Sequence, residues 1–329
     1  MVSSDRARAL HEAFPPIDLH ADTLMWVRSF GYDMRQRHAP PLPRSAWLGH
    51  VDVPRLVQAG MGGQFLGLVS LPHFHASPSD VVDEQISLLE QLVRDEPVVR
   101  LVRTAADMQA CQRDRRIGLA LGIEGAHALG GSIDRLKYFA SRSVRYLGLV
   151  HFTANEAASP AYGLGHDASR GLTAFGRGVV ECCESSGVLV DLAHINRAGF
   201  LQACAMASRP MIVSHTGVSG AHRHWRNIDD EQLEALAQTG GVAGVMFAPR
   251  FLGGGGLDAV VRHIRHIIDV AGEDTPALGS DWDGMIVPTA ELCDVAHLPL
   301  LTDALLGAGL DDRQIGKVLR LNVMRVLAS

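Results

Sequence analysis

Short, almost continuously apolar runs alternate along this chain with longer segments of helical pattern. Runs in which nearly every position is apolar are typical of parallel strands that are covered on both faces. On this basis the sequence predicts eight strands, near residues 16–22, 63–70, 118–123, 144–150, 188–192, 211–214, 241–247 and 277–279.

Helical segments separate most of these strands. We predict helices near residues 52–57, 79–95, 132–142, 173–186, after Asn196, near 229–238, near 257–271 and at the end of the chain, with a proline-rich loop at Ala39–Pro43. Eight parallel strands with crossover helices close into an α/β barrel, and 329 residues suit one such unit. The prediction is therefore a single (β/α)8 TIM-type barrel domain over residues 1–329, with its active site at the carboxyl ends of the strands.

Histidine, aspartate and glutamate residues, all possible metal ligands, end several of the predicted strands. His20 and Asp22 are two positions apart, so in an extended strand both side chains point to the same face. Later apolar runs end at further candidate ligands or proton carriers: Glu124, His151, His194, His215 and Asp281. Because active sites of this fold lie at those strand ends, we expect these side chains to converge.

The candidate set exceeds what one hydrolytic zinc ion requires. Imidazole nitrogens and carboxylate oxygens are zinc ligands, and a catalytic zinc keeps one position for water. The excess fits two metal ions about 3.5–4 Å apart that share a bridging carboxylate. Glu124 is the natural bridge, because a bidentate carboxylate can span two ions and Glu124 lies on an interior strand. We therefore expect two Zn²⁺ ions.

Several motifs together resemble the renal (membrane) dipeptidase family, a branch of the amidohydrolase superfamily. The resemblance runs from about residue 16 to 325 and rests on Asp18-Leu19-His20-Ala21-Asp22, Gly122-Ile123-Glu124-Gly125, Asp191-Leu192-Ala193-His194, Val213-Ser214-His215, Arg226-Asn227 and Gly279-Ser280-Asp281-Trp282-Asp283-Gly284. The chain departs from the family pattern at Phe139–Arg145 and Leu149–His151, which flank the expected site.

The resemblance implies a role for each candidate residue. His20 and Asp22 would hold one zinc ion, His194 and His215 the other, and Glu124 would bridge them. The remaining roles are catalytic or substrate-binding: His151 would contact the substrate carbonyl or its oxyanion, Asp281 would take the proton from the bridging water, and Arg226 would bind the substrate's terminal carboxylate.

The function expected from the resemblance is zinc-dependent hydrolysis of dipeptides by a metal-bridging hydroxide, including L-Xaa-D-Xaa dipeptides. Two alternatives stay open at this point. The same binuclear site could hydrolyse an N-acyl amino acid or a cyclic amide, or the chain could bind metal without peptidase activity.

Composition narrows the choice of partners and compartment. The formal net charge is −6, without a basic stripe, so we expect a small dipeptide substrate rather than nucleic acid. No apolar run approaches the roughly 20 residues that span a bilayer, and no signal peptide is recognised, so we expect no membrane partner. The five cysteines suggest reduced thiols in a cytoplasmic protein, and a homodimer is left open.

The sequence also supports predictions for the stretch after His151 and for the remaining histidines. The polar, glycine-rich stretch that follows His151 and reaches Gly171 is long enough to suggest a functional loop. Histidines outside the candidate set are expected at the surface, including His222, His224, His263 and His266, and His73–His75 is expected to be an ordinary loop segment.

Overall fold

Parallel strands form a closed ring at the centre of the molecule. The computed structural model describes residues 3–38, 48–71 and 77–329. Within these ranges the strands are β1 (Ile17–Ala21), β2 (Gly63–Val69), β3 (Val99–Leu101), β4 (Ile117–Glu124), β5 (Val144–Gly148), β6 (Leu189–Asp191), β7 (Ile212–Thr216), β8 (Val242–Val245) and β9 (Pro276–Leu278). The predicted proline-rich loop and His73–His75 lie outside the described residues.

Pairing between β2 and β4 closes the ring. The strand order is β2-β1-β9-β8-β7-β6-β5-β4, and β2 pairs with β4 in register from Gly63 opposite Gly118 to Val69 opposite Glu124. The ninth strand, β3, lies outside the ring and pairs with the first residues of β4. The predicted (β/α)8 barrel is thereby confirmed, and similarly folded structures described below agree with it.

Helices surround the ring. They are α1 (Asp5–Ala13), α2 (Thr23–Phe30), α3 (Val53–Gln58), α4 (Pro78–Asp95), α5 (Ala105–Arg113), α6 (Ile133–Ser141), α7 (Ala174–Ser186), α8 (Arg197–Met206), α9 (Asp230–Gln238), α10 (Pro249–Leu252), α11 (Gly256–Ala271), α12 (Pro299–Gly307), α13 (Asp312–Gly316) and α14 (Asn322–Leu327). Short 3₁₀ turns cover Ala126–Leu129, Ala290–Leu292 and Val295–His297, and a π-helical turn covers Lys317–Leu321.

Side-chain caps start many of these helices where the sequence offers a short polar residue. Asp52 accepts the backbone N–H of Arg55 at the start of α3, and Asn196 accepts that of Gly199 at the start of α8. Such caps satisfy backbone donors that lack a partner within the helix. They fix where the crossover helices begin, and so where the loops above the strands end.

Three histidines outside the candidate set correct the expectation of surface positions. His11, His50 and His263 are all buried. His263 lies in α11 on the same face as the buried Val260 and Ile267, three positions after one and four before the other. The helical period therefore turns His263 inward, and its Nδ1 accepts the backbone N–H of Val218 at 2.9 Å.

The cysteines and the helices bear on two of the expectations from composition. All five cysteines are unpaired, and four of them are buried. Among the described residues, no helix combines the length and apolar character that crossing a bilayer requires.

Candidate active site

The eight candidate residues meet at the carboxyl ends of the barrel strands, and all are buried. Their positions follow from the ring: His20 is in β1 and Asp22 directly after it, Glu124 ends β4, His151 follows β5, His194 follows β6, His215 is in β7, Arg226 lies between β7 and α9, and Asp281 follows β9. The structure thus brings together every residue that the sequence singled out for this site.

Backbone pairing between β1 and the segment after β9 places Asp281 beside His20 and Asp22. Asp22 donates its backbone N–H to the carbonyl oxygen of Trp282 at 2.9 Å, and Asp281 donates its own to His20 at 3.2 Å. His20 Nε2 lies 3.1 Å from Asp22 Oδ1 and 3.9 Å from Asp281 Oδ1.

The Glu124 carboxylate lies between two groups of potential ligands. On one side are His20 and Asp22, with 3.9 Å between His20 Nε2 and Glu124 Oε1. On the other are His194 and His215, whose Nε2 atoms are 3.0 and 3.5 Å from the same oxygen. Two ligands of one tetrahedral zinc ion are about 3.4 Å apart when each bond is about 2.1 Å long. The spacing therefore suits two sites that share Glu124.

Unsatisfied polar atoms support a cation at this place. His20 Nε2, Asp22 Oδ1 and Glu124 Oε2 are buried and lack a hydrogen-bond partner. A buried polar atom without a partner is costly, and a carboxylate more so than a neutral group. Nitrogen and carboxylate oxygen are also the donor types that zinc binds. These residues therefore fit a divalent metal ion.

Two glycines leave the space that the ligands occupy. A Cβ atom on Gly67 would lie 2.2 Å from Asp22 Oδ1, and one on Gly122 would lie 1.9 Å from the Tyr146 ring. Both are closer than any real contact. Gly67 in β2 thus admits the Asp22 carboxylate, and Gly122 in β4 admits the ring of Tyr146.

Residues that we did not predict orient two of the histidines. Tyr146 Oη lies 2.7 Å from His20 Nδ1. Ser214 Oγ donates to Asp191 Oδ2 at 2.6 Å, so its oxygen is left to accept from His215 Nδ1 at 2.9 Å. His215 is thus held with Nδ1 protonated, which directs the lone pair of its Nε2 into the site, and the Tyr146 hydroxyl would act in the same way on His20 by accepting from its Nδ1. The sequence gives no spacing signal for Tyr146, because it reaches His20 across the barrel.

Two of the candidate residues have an unusual backbone conformation. His194 and Asp281 have φ angles of 65° and 63°. Residues other than glycine rarely adopt this left-handed region, and such backbone strain concentrates at functional sites. The conformation turns both side chains toward the centre of the ring immediately after their strands end.

Burial and crowding of carboxylates shift the pKa values in the site. Burial, followed by the charge of Asp22, raises the pKa of Glu124 well above its ordinary value. Burial raises the pKa of Asp281 to about 7, opposed by His20 and reinforced by Asp22. Burial lowers the pKa of His151 to about 3, which keeps its imidazole neutral. A divalent cation would relieve the repulsion among these carboxylates.

Arg226 carries a buried guanidinium at the edge of the ligand group. Its Nη2 donates to the carbonyl oxygen of His215 at 2.7 Å and lies 3.3 Å from His194 Nε2. His151 lies on the other side, with Nε2 3.7 Å from Glu124 Oε1. The Arg226 cation therefore lies beside the His194 and His215 pair and also acts on the Glu124 carboxylate through its charge, while the neutral imidazole of His151 lies next to Glu124.

Comparison with known protein families identifies the family of this chain. Residues 4–329 match the family described as "Membrane dipeptidase (Peptidase family M19)". The chain is a member of the M19 dipeptidase family. The family assignment makes it a hydrolase, a dipeptidase of a metallopeptidase family, and sets aside the alternative of a metal-binding protein without peptidase activity.

Curated relatives agree with membership of the M19 family. The dipeptidase verJ of Clonostachys rogersoniana is 30% identical, over 96% of this chain and 84% of that protein. The dipeptidase tcpJ of Claviceps purpurea is also 30% identical, over 94% of this chain and 76% of that protein. An uncharacterized protein in the pqqA 5' region of Klebsiella pneumoniae is 34% identical over 76% of this chain and 96% of that protein.

Solved structures show the same fold. The dipeptidase AC, a family M19 metallopeptidase, has a TM-score of 0.83 at 28% identity, over 95% of this chain and 98% of that one. A metallopeptidase from Rhodobacter sphaeroides, liganded with a phosphinate mimic of the dipeptide L-Ala-D-Ala, has a TM-score of 0.81 at 28% identity with the same coverage. The family match over residues 4–329 includes the positions of all eight residues described above.

Proposed function

We propose that this M19 dipeptidase uses two zinc ions to hydrolyse free dipeptides, including those with a D-residue at the carboxyl end. The observation that carries the proposal is the position of Glu124, whose Oε1 lies within 4 Å of Nε2 atoms in both ligand groups. One carboxylate shared by two groups is the arrangement that a binuclear hydrolase requires.

His20 and Asp22 would hold one ion and His194 and His215 the other, with Glu124 between them. When bound, the metal ions supply Lewis acidity and lower the pKa of water so that hydroxide forms near neutral pH. The chain's own contribution is to keep the ligands dry and oriented, through Tyr146 behind His20 and Ser214 behind His215.

Asp281 and His151 are the residues that we assign to proton transfer and charge stabilisation. The Asp281 carboxylate lies 3.9 Å from His20 Nε2, next to one ligand group, and would accept a proton from the attacking water and pass it to the leaving amine. The neutral His151 would donate a hydrogen bond to the oxygen of the scissile carbonyl, where negative charge develops.

Arg226 would bind the free carboxylate at the end of the substrate. A guanidinium can hold a carboxylate through two parallel hydrogen bonds, and burial of Arg226 excludes competing water. A carboxylate held so close to the reacting centre leaves room for one residue between them. This restriction is the physical basis for a preference for dipeptides over longer peptides.

Tolerance of a D-residue is supported by one relative. The Rhodobacter sphaeroides enzyme, which shares 28% of its sequence with this chain, is described with a phosphinate mimic of L-Ala-D-Ala. That ligand is a property of the relative. For this chain it supports the proposal that L-Xaa-D-Xaa dipeptides are substrates.

A substrate panel tests the proposed function. Purified protein supplied with zinc is assayed for amino-acid release from L-Xaa-L-Xaa and L-Xaa-D-Xaa dipeptides, N-acetyl amino acids and cyclic dipeptides. We expect turnover of the free dipeptides, with a kcat/KM well above that for the other classes. Turnover of N-acyl amino acids or cyclic amides in preference to dipeptides would contradict the proposal and favour another amidohydrolase reaction.

A further inference from the structure

Three aromatic side chains remain exposed at the mouth of the site. Phe152, Tyr162 and Trp225 are 43%, 58% and 38% exposed, although large apolar residues are usually buried. Tyr162 stacks on Trp225 with 4.7 Å between ring centroids, and Phe152 meets the edge of Trp225 at 6.5 Å. We refer to these three residues as the aromatic wall.

The first end of the aromatic wall rests on the catalytic histidines. The Phe152 ring lies 4.4 Å from the His151 ring and 4.8 Å from the His194 ring. The loop that carries Tyr162 is tied to the same place, because Ala161 donates its backbone N–H to the carbonyl oxygen of His194 at 2.6 Å. Packing and backbone hydrogen bonds therefore hold this loop over the metal ligands.

The other end of the aromatic wall is next to Arg226 in the sequence. Trp225 directly precedes Arg226, and its ring packs against those of His224 and Phe251, with centroids 5.0 and 6.0 Å away. Arg226 is buried while Trp225 stays partly exposed. The loop therefore buries the Arg226 guanidinium in the site and leaves the Trp225 ring partly exposed to solvent.

The two ends of the aromatic wall correspond to the two residues that would hold the carboxyl-terminal residue of the dipeptide, the residue that leaves on hydrolysis. If His151 contacts the scissile carbonyl and Arg226 the terminal carboxylate, the carboxyl-terminal residue lies between them. Phe152 packs on His151, Trp225 directly precedes Arg226 in the chain, and Tyr162 stacks on Trp225. The side chain of the carboxyl-terminal residue would therefore lie along the aromatic wall.

We infer that the aromatic wall selects dipeptides whose carboxyl-terminal side chain is large and apolar or aromatic. The inference rests on the proposed function and specifies its substrate class. An apolar side chain that leaves water and packs on aromatic rings is stabilised by burial of both surfaces. Such discrimination between a bulky side chain and none amounts to about tenfold or more in kcat/KM.

The test compares two substrates that differ only at the carboxyl-terminal residue. For the zinc-supplied enzyme we expect kcat/KM for L-Ala-L-Phe to exceed that for L-Ala-Gly by about tenfold or more. Tyr162→Ala and Phe152→Ala should each lower this ratio by about threefold or more, mainly through KM for L-Ala-L-Phe. Tyr162→Phe should retain the wild-type ratio, because it keeps the apolar ring.

Phe30→Ala is the matched control. Phe30 is an exposed aromatic residue, 72% exposed at the end of α2, and it packs on Trp26 outside the aromatic wall. Its replacement should leave the ratio unchanged. L-Ala-Gly turnover by each variant also reports that the variant is folded and active.

The possible failures are distinguishable. If the wild-type enzyme hydrolyses both dipeptides without a preference, the inferred selectivity of the aromatic wall is wrong and the proposed function still stands. The same holds if the preference is unchanged in the double variant Tyr162→Ala/Phe152→Ala. Hydrolysis of neither dipeptide by the zinc-supplied wild-type enzyme overturns both.

Discussion

At the scale of residues, the site is organised around charges that are costly to bury. Asp22, Glu124 and Asp281 are three buried carboxylates within reach of His20 Nε2. Their mutual repulsion favours positive charge, which the buried Arg226 guanidinium supplies in part and which protonated histidine or a divalent cation would supply further. Because histidine ligands bind metal as neutral imidazoles, metal binding would displace protons from the site.

Asp281 tests the assignment of proton transfer. Asp281→Asn keeps the size of the side chain and removes the basic oxygen, so we expect kcat for a dipeptide to fall about 10²-fold or more while KM changes little. Metal content should stay near that of the wild type, because the two groups that meet at Glu124 remain intact. Near-normal turnover by the metal-loaded variant would reject the role.

Tyr146 tests whether a residue outside the ligand set controls the metal. Tyr146→Phe removes only the hydroxyl that faces His20 Nδ1, so we expect metal affinity to fall about 10-fold or more. Competition with a chromogenic chelator measures the affinity directly. Tyr32→Phe is the control, since Tyr32 is also buried but donates its hydroxyl to the Val51 carbonyl oxygen instead. Equal affinities in both variants would show that the hydroxyl has no such role.

Arg226 tests recognition of the substrate's carboxylate. Arg226→Ala should cost about 2–4 kcal/mol of transition-state binding for free dipeptides, because a charge-assisted, buried contact is lost. Arg226→Lys should lose less transition-state binding than Arg226→Ala but should not reach the wild-type value, because an ammonium group cannot form two parallel hydrogen bonds with a carboxylate. Arg223→Ala is the matched control on the same loop, where the side chain is exposed.

The measurement is kcat/KM for a dipeptide and for its carboxyl-terminal amide. Wild-type enzyme should favour the free acid strongly, and Arg226→Ala should reduce that preference. A wild type that cleaves acid and amide equally well would remove the reason for assigning this role to Arg226.

At the scale of elements, strand prediction succeeded where burial is complete. The barrel strands are buried on both faces, and this leaves continuous apolar runs in the sequence. β3 was missed because its three residues include the partly exposed Arg100 and Leu101, so it gives no such run. Helices α1, α2, α5 and the short α10 were also not predicted. α2 begins directly after Asp22, in a stretch for which we predicted no element.

Contacts across the barrel are what the sequence could not show. The strand ends indicated His20, Glu124 and His215 because each ends or nearly ends an apolar run. Gly67 and Tyr146 act on the site from other strands, and no pattern within their own strands marks them. His263 was within reach of prediction, since the helical period of α11 places it on the buried face.

His263 also provides a pH test at this scale. Burial lowers its pKa to about 4, against an ordinary value of 6.5 in the unfolded chain. Below about pH 6.5 the unfolded chain therefore binds the proton more readily, so the stability that neutral His263 gives is complete above this pH and is lost toward pH 4. Its Nδ1 accepts the Val218 N–H, which a protonated ring could not do.

The measurement is the free energy of unfolding at pH 7 and at pH 5. His263→Gln cannot titrate, so the loss between the two pH values should be smaller than in the wild type. His166→Gln, at an exposed position between β5 and α7, is the control and should keep the wild-type difference. An unchanged difference in His263→Gln would show that His263 does not carry the effect.

At the scale of the whole molecule, the closed ring explains why ligands far apart in sequence meet. Closure through β2 and β4 brings Glu124 opposite Val69, and the pairing of β1 with β9 brings Asp281 beside His20. We propose that residues 1–329 form one domain, since the site draws on strands from both ends of the chain. Family membership then connects this arrangement to dipeptide hydrolysis.

Metal titration of the purified enzyme tests the central claim most directly. The protein is stripped with a chelator, zinc is returned in steps, and bound ions per chain are measured together with dipeptide hydrolysis. We predict no activity without metal and a rise that saturates near two bound ions per chain. Full hydrolysis of the dipeptide by the metal-free protein, or saturation of both signals at a single ion, would contradict the binuclear centre at Glu124.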